Sequence, residues 1–205
     1  MHFALFFLPQ FLLAYFPYQS SAQTGVVNAL LTLAVLGLFI QPLRDTIPAL
    51  NTMFRSIDRP EDRPYTLLWL VTQFLASYLV LVPLIVYLNQ HQLRELLYIP
   101  ILIIGLGDGL AEPVGVRFGR HTYQTRAIFS SRRYTRSLEG SLCVFVVSLL
   151  AIVYYRELFT QRQFIAALIL IPVLMTITEA ISPHTWDSPF LYCAGGVSLI
   201  LILQL

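Results

Sequence analysis

The sequence predicts an all-α, polytopic integral membrane protein with about seven transmembrane helices. Three observations carry this expectation. The chain is 57% hydrophobic and only 12% charged, well outside the composition of ordinary soluble domains. Its apolar residues fall in seven runs, near 2–18, 25–41, 66–89, 94–110, 138–155, 163–181 and 189–205, most of them close to the roughly 20 residues that cross a bilayer. Alternating ten-residue segments of the kind that build a membrane β-barrel are absent from the sequence, and helices satisfy their own backbone inside lipid.

Each run has its own character. The first carries Pro9 and Pro17, and it reads as a span rather than a signal peptide because no basic residues precede it. Six spans is the alternative count, with this first run lying in the interface. The remaining runs are separated by short polar connections, so residues 1–205 make one membrane domain. Cys143 and Cys193 sit inside apolar runs, without metal-ligand spacing, and read as small core residues.

The charges are unevenly placed. All thirteen basic residues are arginine. The second connection holds Arg44, Arg55, Arg59 and Arg63, and the fourth holds Arg117, Arg120, Arg126, Arg132, Arg133 and Arg136. Only Arg94, Arg156 and Arg162 fall on the other side. The positive-inside rule puts the Arg-rich face in the cytoplasm and the C-terminus on the opposite side. A net charge of +2 is too small for binding nucleic acid by bulk electrostatics. The absence of lysine excludes Schiff-base chemistry and a Walker lysine.

The most informative stretch is the polar island at about 105–140. Asp108 and Glu112 are four residues apart, which places both carboxylates on one helix face. Two hard oxygen ligands near a membrane surface suit Mg²⁺ carried by a phosphate substrate. Gly107, Ala111, Gly115 and Gly119 repeat every four residues and form a smooth stripe, suited to close helix packing or to backbone approach to a ligand. Pro113 is expected to interrupt the helix near Gly109. The arginines downstream suit triphosphate binding as a group, and singly they suit anchoring at headgroups. Ser137 is placed to cap the fifth span, with Glu139 in its first turn as cap partner, metal ligand or base. Glu179 ends the sixth span without an evident local role, which makes it a candidate general base. Asp187 precedes Pro189 in the pattern of a helix start, and His184 reads as a loop residue. The loop from Phe54 to Pro64 reads as a salt-bridged turn on the same face.

The runs Gly107-Asp108-Gly109-Leu110-Ala111-Glu112-Pro113-Val114-Gly115, Phe118-Gly119-Arg120 and Ser137-Leu138-Glu139-Gly140-Ser141 resemble the signature of the polyprenol kinase family, which includes dolichol kinases, yeast-type diacylglycerol kinases and phytol kinases. The resemblance is densest over 104–145, nearest to phytol kinase-like members, and weak elsewhere. The family pattern usually carries lysine where Arg136 stands; the charge is kept, but a deprotonated amine is not available. The resemblance implies transfer of the γ-phosphoryl group of CTP, or another nucleoside triphosphate, to a membrane isoprenoid alcohol. It implies a nucleotide site made by Gly107, Gly109, Gly115, Arg117, Gly119, Arg120, Arg132, Arg133, Arg136, Ser137 and Gly140. Mg²⁺ falls to Asp108, Glu112 and Glu139, and catalysis to Asp108 with Glu179 or Asp187 as proton acceptor. A cytidylyltransferase making a CDP-lipid and a small membrane transporter are the alternative readings.

Overall fold

The computed structural model describes residues 21–58, 62–126, 133–183 and 186–205. The expected first span, Arg59, Arg132 and His184 lie outside the described residues. Those described are mostly helical: α1 (Ser21–Gly37), α2 (Gln41–Thr46), α3 (Pro48–Arg55), α4 (Thr66–Gln90), α5 (Arg94–Phe118), α6 (Leu138–Tyr154), α7 (Gln161–Ile181) and α8 (Asp187–Ile202). Three of these, α4, α5 and α7, are long and apolar enough to cross a membrane, and α6 and α8 are apolar but shorter. Three such helices with shorter apolar companions replace the expected seven spans as what the described residues show.

The helices run alternately up and down. α4 packs along α1 and α8, α7 packs between α6 and α8, and the C-terminal half of α5 packs on α6. Their shared core includes Leu88, Ile99, Ile103, Val144, Ile152, Ile171, Met175 and Leu199. Large apolar side chains also cover the outside: Leu79 is 78% exposed, Leu150 and Ile169 each 62%. A helix apolar on every side has no aqueous face to offer, which is the pattern of a lipid-surrounded bundle. Inside, the few polar side chains satisfy themselves locally: Ser148 donates to the Val144 carbonyl at 2.7 Å and Ser77 to that of Gln73 at 2.9 Å.

α5 departs from expectation in an informative way. The helix does not end near residue 110 but continues to Phe118, so the first part of the polar island is helical. It opens with a 3₁₀ turn (Arg94–Leu97) and widens into a π turn over Ile103–Asp108 before the α-helical segment Gly109–Phe118. Pro113 lies inside that last segment. Its missing N–H deprives the Gly109 carbonyl of its usual helical donor, and the π turn, a feature frequent at functional sites, ends one residue before it.

The second part of the island is an antiparallel hairpin, β1 (Thr122–Arg126) with β2 (Arg133–Ser137), in register Thr122 with Ser137 and Arg126 with Arg133. The all-α expectation is corrected here. Both strands are rich in Thr and Tyr, a composition that favours extended chain.

Two ends result. One gathers the start of α4, the end of α5, the hairpin, the start of α6, the end of α7 and the start of α8, all of which meet around one cavity. At the other, Tyr98 stacks on Tyr155 with centroids 6.3 Å apart, and Gln163 donates to the Leu203 carbonyl at 3.0 Å. Cys143 is partly buried and Cys193 is exposed on the bundle surface rather than in the core.

Candidate functional site

A cavity of about 390 Å³ occupies the first of these ends. Asp108, Gly109, Glu112 and Gly115 face it from α5, Arg136 and Ser137 from β2, Gly140 from α6, Glu179 from α7 and Asp187 from α8. Residues distant in sequence thus converge. The four-residue spacing of Asp108 and Glu112 acts as expected: the π turn ends at Asp108, α-helix follows, and both carboxylates line the same wall.

Arg136 is the only arginine among the described residues on the cavity wall. Its Nη1 forms an ion pair with Glu179 Oε1, and its Nη2 donates to the Ser182 carbonyl at 3.2 Å. The side chains are 10% and 3% exposed respectively. The second oxygen of Glu179 accepts from Ser141 Oγ at 3.4 Å, and Ser141 Oγ lies 2.5 Å from the Tyr123 hydroxyl. One buried glutamate therefore ties both strands of the hairpin to the helices. Both its oxygens are engaged within the protein, one by Arg136 and one by Ser141. Arg136 Nε is buried without a hydrogen-bond partner among the described residues, and such an orphaned donor is costly unless a ligand or water accepts from it.

Asp187 stands in the first turn of α8, where a negative charge is favoured. Gln73 of α4 donates from Nε2 to Asp187 Oδ1 at 3.2 Å and to Ser188 Oγ at 2.9 Å. Trp186 Nε1 donates to Thr72 Oγ1 at 3.2 Å beside them. The Phe54–Pro64 loop contributes Ile57 and Asp62 to the wall, and is fixed by Asp58, which accepts from Thr66 at 2.6 Å and pairs with Arg63 at 2.8 Å.

Several sequence-predicted site residues lie elsewhere. Glu139 is turned to the start of the hairpin: its Oε1 accepts from the Arg120 and His121 backbone N–H groups at 3.0 and 3.3 Å, and lies 2.9 Å from His121 Nδ1. It is therefore withdrawn from the cavity set. Arg117, Arg120 and Arg133 are exposed and outside the cavity wall. The small-residue stripe is mainly a packing face. A Cβ on Gly107 would lie 3.1 Å from Val144 Cα, one on Gly115 2.6 Å from Ser137 Oγ, and one on Gly119 2.2 Å from the Gly115 carbonyl oxygen. Gly115 alone of these three also lines the cavity. Ser137 caps α6 as expected, accepting from the Gly140 N–H at 3.0 Å.

Gln73, Ser141, Tyr123, Asp62 and Trp69 were not expected in the site. Gln73 carried a legible signal: it is an amide well inside the apolar run 66–89, away from Asn89 at its end, and polar groups within such runs mark functional positions.

The wall carries five carboxylates, Asp62, Asp108, Glu112, Glu179 and Asp187, against one guanidinium. Among the described residues, no three His, Cys, Asp or Glu side chains converge as an all-protein metal centre. The donor set fits a hard cation of the Mg²⁺ type, which commonly takes one or two carboxylates and completes its shell with water and substrate phosphates. Comparison of the chain with protein-family models, with curated proteins and with solved structures yields no match.

Proposed function

We propose that this chain is a lipid-alcohol kinase, transferring the γ-phosphoryl group of CTP or another nucleoside triphosphate to a membrane isoprenoid alcohol such as phytol or a polyprenol. One observation carries the reading: Asp108, Glu112, Arg136 and Asp187, from three separate elements, line a single cavity at the end of an apolar bundle. Phosphoryl transfer asks mainly for positioning and charge neutralisation. An acidic wall repels a bare triphosphate, so the nucleotide that suits it is one carrying a divalent cation.

Asp108 and Glu112 are the residues that would hold Mg²⁺, which when bound neutralises charge on the β- and γ-phosphates. Arg136 Nε offers a buried donor to a phosphate oxygen. The alcohol oxygen bonds to the γ-phosphorus as the bond to the nucleoside diphosphate breaks, and Asp187, oriented by Gln73 and Ser188, takes the hydroxyl proton. Glu179 holds Arg136 in place. The arginine distribution supports reading this end as the cytoplasmic side of a multi-pass chain.

The test is incubation of the purified protein with γ-labelled CTP, ATP or UTP, Mg²⁺ and a panel of lipid alcohols. The expected result is labelled lipid monophosphate with release of nucleoside diphosphate. In parallel incubations with the corresponding lipid monophosphates, a CDP-lipid with release of pyrophosphate would mark a cytidylyltransferase, and absence of any lipid product from either acceptor would refute both.

A further inference from the structure

The cavity lining is mixed in character. Beside the carboxylates and Arg136, the lining includes the apolar side chains of Ile57, Trp69, Leu70 and Val116. Trp69 and Val116 line the cavity and are also 43% and 83% exposed on the outside of the bundle, so the cavity opens at the rim they form. That rim lies between the start of α4 and the C-terminal end of α5, which packs on α6. Both rim residues are apolar and belong to α4 and α5, helices long and apolar enough to cross a membrane, so the rim adjoins surface of the kind a bilayer would cover.

A polar side chain lines the same cavity. Gln73 sits seven residues into α4, about 10 Å along the axis from Thr66. It uses both Nε2 hydrogens on Asp187 and Ser188, which fixes the amide orientation and leaves Oε1 as an acceptor with no donor among the described residues. A group that arrives from the hydrocarbon side and brings one O–H matches that vacancy in hydrogen bonding. An alkane brings none, and a phosphorylated headgroup brings only acceptors and negative charge to a wall already rich in carboxylates.

The geometry points to a lateral subsite for a long-chain membrane alcohol. Its tail passes between Trp69 and Val116, and its hydroxyl donates to Gln73 Oε1 beside Asp187. This rests on the kinase reading and adds to it the acceptor's route and the residue that selects a free hydroxyl. A site built to accept a substrate O–H discriminates strongly against analogues that lack it. The same amide orients Asp187, so binding and proton acceptance are set by one side chain.

Two measurements test it. In the kinase assay, Gln73→Leu is expected to raise the apparent KM for the alcohol roughly tenfold, the worth of one hydrogen bond, with the KM for the nucleotide unchanged. In parallel, a twenty-carbon alcohol bearing a diazirine on its tail is photolysed with the full-length protein in phosphatidylcholine vesicles. Adducts are expected on peptides containing Trp69 or Val116, suppressed by excess free alcohol and not by its methyl ether. That suppression is expected to weaken in Gln73→Leu. Adducts confined to other helices, or equal suppression by the ether, overturn the subsite whether or not the enzyme is active. An active enzyme whose alcohol KM ignores Gln73→Leu overturns it with the kinase reading intact. If no alcohol is phosphorylated yet the adducts form at the rim, the kinase reading fails and the alcohol subsite stands.

Discussion

Arg136 and Glu179, 43 residues apart in sequence, form an ion pair whose two side chains are 10% and 3% exposed. The pair joins the second strand of the hairpin to the end of α7, and Ser141 and Tyr123 extend it to α6 and the first strand. Removing one member leaves a buried charge without its partner, which costs on the order of 3–5 kcal/mol. Arg136→Ala and Glu179→Ala are each expected to lower stability by about that much, whereas Arg136→Met with Glu179→Leu restores most of it. Unfolding in detergent, followed by tryptophan fluorescence, measures the three variants. A double variant whose loss equals the sum of the two single losses would show that the pair is not coupled.

Because Tyr123 lies 2.5 Å from Ser141 Oγ, the hairpin's hold on the helices also depends on one phenol. Tyr123→Phe removes a hydrogen bond worth roughly 0.5–1.5 kcal/mol. Amide exchange is expected to quicken across 122–126 and 133–137 and to stay unchanged in the middle of α7. A uniform rise across the bundle would mean that the hairpin does not open on its own.

The acids of the island separate by what they face. Asp108→Asn and Glu112→Gln are each expected to reduce lipid phosphorylation about 100-fold or more, equivalent to ~2.7 kcal/mol of barrier, with extra Mg²⁺ partly restoring Glu112→Gln. Glu139 serves the entrance to the hairpin through Arg120 and His121, so Glu139→Gln is expected to stay within a few-fold of wild type. Initial rates of correctly folded protein decide the matter. Full activity of Asp108→Asn removes the metal assignment.

This division shows what the sequence could and could not disclose. Helical spacing alone put Asp108 and Glu112 on one face, and apolar length marked α4, α5 and α7, because both depend on local periodicity. Glu139 sits in the same motif as Ser137 and Gly140, yet one residue of offset at a helix start turns it from the cavity. The hairpin was hidden because its strands are polar on both faces and carry no alternation of apolar residues, leaving only their Thr and Tyr content as a signal. The Arg136–Glu179 and Gln73–Asp187 pairs are long-range consequences of helix packing, which no local pattern encodes. The π turn at Ile103–Asp108 is similar: Pro113 announces a disturbance, but the neighbouring packing decides where it falls.

The glycines give the sharpest test of that packing. A Cβ on Gly140 would lie 2.6 Å from the Ala111 carbonyl oxygen, a backbone atom held by α5 and unable to swing aside as a flexible side chain would. α5 and α6 would have to separate, exposing the face that carries Asp108 and Glu112 to the cavity. Overpacking of this kind costs about 1–3 kcal/mol, and Gly140→Ala is expected to destabilise by that amount and to lower activity with it. At Gly37 nothing lies within 4 Å of the added carbon, so Gly37→Ala is expected to be neutral or slightly stabilising, as alanine is a better helix former than glycine. Unfolding midpoints of the two variants, measured side by side, separate crowding between helices from the general effect of replacing glycine. Equal stability of Gly140→Ala and wild type would mean that α5 and α6 are not in the close contact on which the cavity depends.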